Sequence, residues 1–196
     1  QMTEAVKSIA RENNMCILSG FDVEDTNNSN NGLNDNKEYL VNPKGEIEWC
    51  YYKKNLIFII EQGDYVQGSE KMPNKTVTMP DGTKTKIASA ICFDADYPGQ
   101  VRDNLDADTS LLLIPTWDWG AIRAYHTNGA ELRSVENGIS IARSTYDGIS
   151  SVTDAYGRTV MWSDMAASGF ENVVFADVPT RRVQTLYHVA GKVIDW

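Results

Sequence analysis

Residues 87–102 read IASAICFDADYPGQVR, an apolar run that climbs to a single thiol, Cys92, and then breaks into Asp94, Asp96 and a Tyr-Pro pair. A cysteine on the last rung of a buried strand is either packing, since free cysteine is among the most buried residue types, or a nucleophile held at a strand end. A nucleophilic thiol has to become a thiolate, which takes a nearby base, a cation or a helix N-terminus. Asp94 and Asp96 are negative and raise a neighbouring thiol's pKa, so their charge does not activate it. The residues that could are few. YYKKNL offers Lys53 and Lys54 just after a strand-like segment, and the chain has two histidines, His126 and His188. A lysine beside a thiolate and a carboxylate would stay charged, pull the thiol's pKa down and stabilise an oxyanion. A Cys-His pair is the competing arrangement, and the residues alone leave both open.

The remaining reactive side chains are quieter. Cys16 in MCILSG and Cys50 in EWCYYK read as packed strand thiols, and three cysteines at wide spacing do not make a disulfide framework. Neither histidine stands at metal-ligand spacing from a second His or Cys, so no structural zinc site is expected. The loop TWDWGAIRAYHT gathers Trp117, Asp118, Trp119, Tyr125 and His126 after a buried strand. It reads as a substrate-binding wall of Trp117, Trp119 and His126, or as a surface loop pinned by buried tryptophans. Glu131, Arg133 and Glu136 read as structural helix charges.

The elements that must position these groups follow from periodicity. Met2, Ala5, Val6, Ile9 and Ala10 mark one face of an amphipathic helix, and MCILSGF follows as a buried strand. Residues 22–36, rich in Asn and Asp, read as a mobile solvated loop. EYLVNPKGEIEWCYY and KTVTMPDGTKTKIASAICF read as hairpins turning at Pro43–Gly45 and at Pro80-Asp81-Gly82. Pro98 starts a short helix, TSLLLIPT is a buried strand, and NGAELRSVENG is a helix capped by Asn128 and stopped by Gly138. GISIARS, GISSVTD, RTVMW and NVVFADV complete the strands. With 196 residues, one domain is expected. A net charge of −9 argues against nucleic acid as partner. No apolar run reaches the roughly 18–20 residues that span a bilayer.

Taken in order, three tracts resemble the carbon–nitrogen hydrolase (nitrilase) superfamily over residues 2 to about 180. ICFDADYPGQVR is similar to its nucleophile motif and YYKKNLIFIIE to its lysine motif. The tract from TSLLLIPTWDWG to DAYGRTV, with its R-x-x-E-N-G helix and Arg-bearing strand, is closest to the branch of apolipoprotein N-acyltransferase. The resemblance implies an α/β fold, the nitrilase-type α-β-β-α sandwich truncated at its N-terminus. It implies Cys92 as the nucleophile that forms a thioester and Lys53 as the catalytic lysine, because Tyr51-x-Lys53-x-Asn55-Leu56 fits the motif. Glu61 becomes the glutamate that closes the lysine motif, and the backbone N–H of Phe93 part of an oxyanion site.

Four positions of the lysine motif depart from the family pattern. Asn55 replaces its histidine, Phe58 its proline, and Ile59-Ile60 stand where Phe-Gly is common, so an altered loop around Glu61 is expected. The family's general-base glutamate belongs to a strand upstream of the helix with which these residues open, so the chain by itself is expected to be weak or inactive. The implied activity is amide or acyl chemistry, as an amidase or an N-acyltransferase, on a small-molecule or lipid-linked acyl substrate, and it calls for no metal or organic cofactor. The branch also implies flanking membrane spans in a longer protein and a place on the extracytoplasmic face of the membrane, with the cytoplasm as alternative. A nitrilase-like binding module without catalysis is the second reading, and oligomeric state is not legible.

Overall fold

The computed structural model describes residues 2–168 and 173–194. The opening apolar spacing forms α1 (Met2–Glu12), with Glu4 in its first turn and Arg11 in its last, each charge suited to its end of the helix dipole. Three antiparallel strands follow: β1 (Ile17–Val23), β2 (Asp35–Val41) and β3 (Ile47–Tyr52), in the order β1-β2-β3. The hairpin between β2 and β3 turns where Pro43 and Gly45 indicate. The Gly45 N–H donates to the Asn42 carbonyl at 2.9 Å, and Gly45 sits at φ 75°, which a side chain would resist.

The second sheet has six strands in sequence order: β4 (Asn74–Thr78), β5 (Lys84–Ser89), β6 (Leu111–Trp117), β7 (Ser140–Tyr146), β8 (Ile149–Thr153) and β9 (Thr159–Asp164). β5, β6 and β7 run parallel, and the outer pairs are antiparallel. Parallel neighbours need crossover connections. α2 (Pro98–Asn104) lies in the first and α3 (Arg123–Asn137) in the second. This explains why β6 is apolar almost throughout: it is covered on both faces.

The layers follow from what each face buries. Leu40 of the first sheet meets Val77, Ile87 and Leu111 of the second in one core. Leu112, Ile114 and Ile141 pack with Val101, Leu105 and Ala130 of α2, its C-cap and α3 in another. α1 contacts β1 and β2, while α3 contacts β7, β8 and α5 (Leu186–Ile194). The result is the expected α-β-β-α sandwich.

Four local expectations are corrected. β1 and β2 extend into the Asn-rich segment as far as the pair Val23 and Asp35. The remaining loop is closed by Asp25, whose carboxylate accepts the N–H groups of Ser29, Asn30 and Gly32. α3 begins at Arg123, so Asn128 lies inside it and is not its cap. Tertiary hydrogen bonds made by His126 in that first turn outweigh the local capping preference. NVVFADV forms no strand over residues 173–178, although its exposure alternates; Asn172 lies outside the described residues. Val173 and Phe175 point outward at 79% and 82% exposure, and the extended segment has no ladder partner among the described residues. Cys50 is exposed and not packed.

Candidate active site

Cys92 does not sit on the last rung of β5, which ends at Ser89. Two residues later the chain turns, and Cys92 opens a 3-10 helix over Cys92–Asp96. Its φ of +49° is one that L-residues other than Gly, Asn and Asp seldom adopt. Such a conformation persists only where the surroundings hold it, and here they do. The Ala90 N–H donates to the Leu113 carbonyl at 3.1 Å, and the Asp94 N–H returns to the Ile91 carbonyl at 2.9 Å. Asp94, fully buried, anchors the turn to the segment after β3. Its carboxylate accepts the Tyr51 hydroxyl at 2.9 Å, the Asn55 N–H at 2.8 Å and the Asn55 side-chain amide at 3.0 Å. The same amide group donates to Gln100 of α2 at 2.7 Å. Asn55 therefore does bridging work at the position where the family pattern has histidine.

Lys53 follows directly on β3 and is 1% exposed. Its backbone is pinned on both sides: the N–H donates to the Asn36 carbonyl at 2.9 Å, and the carbonyl accepts the Gly68 N–H at 2.8 Å. The ammonium reaches both oxygens of Glu61, at 2.6 and 2.7 Å, and Glu61 Oε2 also accepts the Ile57 N–H at 2.7 Å. Between them the altered loop is exposed and apolar: Phe58, Ile59 and Ile60 stand 71%, 84% and 54% in solvent, with Ile59 at φ +74°.

These groups open on one cleft of about 1500 Å³ between the sheets, lined by Lys53, Glu61, Cys92, Trp117, Asp118, Trp119, Arg143 and Tyr146 among others. The structure thus brings Lys53, Glu61 and Cys92 to one cleft, with Trp117 and Trp119 also lining it. Trp117 is largely exposed at the rim, edge-on to Tyr146 with ring centroids 5.6 Å apart. Its carbonyl faces the thiol, Cys92 Sγ lying 3.8 Å from it. Phe93 turns its ring away, edge-on to Tyr97. Its backbone stands in the first turn of the 3-10 helix, where N–H groups lack intrahelical partners.

His126 is not part of the wall. It is buried behind the thiol, with Nδ1 2.8 Å from Asp118 Oδ1 and Nε2 2.9 Å from Asp96 Oδ2. With both nitrogens facing carboxylates it has no lone pair to offer a thiol proton, which disfavours the Cys-His arrangement. His188 lies on α5, outside the residues that line the cleft. Asp118 is fully buried and receives Arg143 as well, Nη2 to Oδ2 at 2.6 Å. Arg143 Nη1 faces the Thr127 and Thr145 hydroxyls and the Ile149 carbonyl. Donor atoms of Cys92, Asp118 and His126 lie within 4.8 Å of one another, a metal-like grouping among the described residues. An imidazole and a guanidinium already occupy the Asp118 oxygens, so the cluster is ordered for hydrogen bonding and not for a cation. Arg133 pairs with Glu136 at 3.0 Å, the structural role expected of it.

The electrostatics favour a protonated resting thiol. Burial pushes the Cys92 thiol up, Lys53 pulls it down by less, and Asp118 pushes it up again. Burial likewise pushes Asp94 up against the hydrogen bonds from Asn55 and Tyr51. His126 goes to about 9: burial works against its charge, but the bonds to Asp118 and Asp96 together prevail.

The roles of Asp94, Asp118 and Arg143 were not assigned from sequence. The available signal was a charged residue inside an otherwise apolar strand, such as Arg143 in GISIARS, which has to be paired where it is buried.

A family model described as carbon-nitrogen hydrolase matches residues 1–187. Apolipoprotein N-acyltransferase from Bradyrhizobium diazoefficiens is 25% identical over 175 residues, covering 81% of this chain and 32% of that protein. The protein of the same name from Haemophilus influenzae is 28% identical over 163 residues, covering 80% and 30%. The chain therefore spans about a third of the length of these curated relatives. Among solved structures, a variant of the amidase from Nesterenkonia sp. AN1, determined after Michael addition of acrylamide at its active site cysteine, superposes with a TM-score of 0.69 at 21% identity. It covers 83% of this chain and 64% of that one, a likeness of fold.

Proposed function

Because the chain belongs to the carbon–nitrogen hydrolase family, on the apolipoprotein N-acyltransferase side of the nitrilase superfamily, we propose that Cys92 attacks an amide or acyl carbon and carries the acyl group as a thioester. The observation that supports this most directly is the convergence of Cys92, Lys53 and Glu61 on one cleft. In the first step the Cys92 sulfur bonds to the carbonyl carbon while the thiol proton leaves to a base. The carbonyl oxygen becomes an oxyanion, met by the Lys53 ammonium and the Phe93 N–H. Collapse expels an amine or alcohol, which takes up the proton. In the second step water (amidase) or an amine (N-acyltransferase) attacks the thioester, the S–C bond breaks and the thiol is restored. Glu61 holds the ammonium in place through two short hydrogen bonds, so positioning and electrostatic stabilisation supply most of the rate. Trp117 and Trp119 form the wall against which the acyl substituent lies.

Asp118 and Glu61 both act on the thiol through their charge. Each is held by cations, so neither is set to take the thiol's proton. Turnover of unactivated amides by these residues alone is therefore expected to be slow. The same observation favours the second reading, a nitrilase-like module that binds an acyl group without turning it over. Single-turnover acylation by an activated ester distinguishes the two, since its leaving group needs no proton. A hydroxylamine-sensitive adduct on Cys92 supports the enzyme; a ligand retained without covalent change supports the module. The substrate is small or lipid-linked, and the domain sits on the outer face of the membrane, with the cytoplasm as alternative; both rest on kinship alone. No helix among the described residues is long and apolar enough to cross a membrane.

A further inference from the structure

We propose that His126 is a positioning residue for Cys92: a buried imidazolium that ties the nucleophile turn to the end of β6 and cancels carboxylate charge beside the thiol. The inference rests on reading Cys92 as the nucleophile. Its geometry is independent of that reading. Asp96 is the last residue of the 3-10 helix that Cys92 opens. Asp118 follows Trp117, whose carbonyl faces the thiol. His126, in the first turn of α3, lies between them with one ring nitrogen on each carboxylate, at 2.8 and 2.9 Å. A neutral imidazole has one N–H and one lone pair. Two ionised carboxylates facing both nitrogens need two donors, so the ring is doubly protonated.

The charges around the thiol then balance. Asp96 and Asp118 bring two negative charges from the 3-10 helix and the loop after β6. His126 and Arg143 bring two positive charges from α3 and β7. From the loop after β3, Lys53 and Glu61 form a second neutral pair. Asp94 faces away, toward Tyr51 and Asn55. Removing the imidazolium alone leaves one net negative charge in a cluster whose Asp118 oxygen lies within 4.8 Å of Cys92 Sγ. Thiolate formation and attack would both be opposed. Above about pH 9, where the ring loses its proton, the wild-type protein reaches the same condition.

The test is the second-order rate of Cys92 alkylation by iodoacetamide between pH 6 and 8.5, read site by site by peptide mass spectrometry. The variants are His126→Asn, the double variant His126→Asn with Asp96→Asn, and Lys53→Met. His126→Asn is expected to slow Cys92 about tenfold, the equivalent of one pKa unit. The double variant breaks more hydrogen bonds but restores charge balance, and is expected to recover most of the rate. A purely structural His126 predicts the opposite order. An unchanged rate in His126→Asn, or a double variant no faster than the single one, overturns the proposal while leaving Cys92 and Lys53 untouched. If Lys53→Met leaves the rate unchanged, the nucleophile reading itself fails and the proposal falls with it. Where the variants do not fold, nitrogen-15 NMR of the wild-type histidine rings decides. With two histidines in the chain, both ring nitrogens of His126 should be protonated at pH 7.5, and a neutral tautomer would refute the assignment.

Discussion

Glu38 offers a stability test that involves no substrate. It lies on β2, fully buried between the sheets, and its carboxyl accepts the Ser89 hydroxyl from β5. The second oxygen has no well-formed hydrogen bond among the described residues. Burial pushes the Glu38 carboxyl from 4.5 up to about 8, Ser89 and Trp49 only partly opposing it and the negative Asp94 adding to it. The folded protein thus binds this proton more tightly than the unfolded chain does. The sign follows: the stability it contributes is fully present below pH 4.5 and declines as pH rises toward 8, because only the unfolded chain ionises freely in that window. At 1.36 kcal/mol per unit, the interval from 4.5 to pH 7 amounts to about 3 kcal/mol. Glu38→Gln keeps the shape and an acceptor for Ser89 but never ionises. It should therefore be more stable than wild type by about 2–3 kcal/mol at pH 7, with the gain shrinking toward zero near pH 4. Urea denaturation at half-unit intervals from pH 4 to 8.5 measures both curves. A difference that does not change with pH would refute the reasoning, as would a Gln variant less stable at pH 7 than at pH 4 relative to wild type.

Other perturbations probe the frame around the thiol. Lys53→Met leaves the Glu61 carboxylate, 12% exposed, without its cation, and should cost about 3–5 kcal/mol in urea denaturation. Adding Glu61→Gln to it should recover part of that loss, and a fully additive pair would contradict the ion pair. Asp94→Ala strands the Tyr51 hydroxyl and the two Asn55 donors; a loss of roughly 3–5 kcal/mol is expected, and a melting temperature within a degree of wild type would be inconsistent with it. Gly138→Ala meets two obstacles, a φ of +63° and a Cβ placed 1.8 Å from the Val183 carbonyl oxygen. It should lose at least about 2 kcal/mol, or roughly 4–8 °C in melting temperature for a chain of this size.

How much of this was legible beforehand depended on the kind of signal. The α-β-β-α layers were readable only through the resemblance of the motifs, whereas both hairpin turns and the Gly138 stop were readable because Pro-Gly turn chemistry and an αL cap act locally. The convergence of Lys53 and Cys92 was readable through motif order, not through spacing: 39 positions separate them, and only the fold closes that gap. The start of α3 was missed because it is set by His126 reaching Asp96 and Asp118, contacts no local pattern encodes. His126 was placed on the substrate wall for a similar reason, since an aromatic-rich loop does not reveal which ring turns inward. NVVFADV alternates like a strand, yet alternation reports extension and not the presence of a partner. Asp94, Asp118 and Arg143 carried a weaker signal, charges in apolar surroundings that had to be paired with something.

The central claim is that Cys92 carries an acyl group with Lys53 supporting the oxyanion. The measurement that tests it most directly is the mass of the protein after a single turnover with a p-nitrophenyl ester at pH 8, with the adduct mapped among Cys16, Cys50 and Cys92. The account predicts one hydroxylamine-sensitive acyl group on Cys92, formed much more slowly in Lys53→Met. An acyl group found only on Cys16 or Cys50, or a Cys92 adduct that forms equally fast without Lys53, would contradict it.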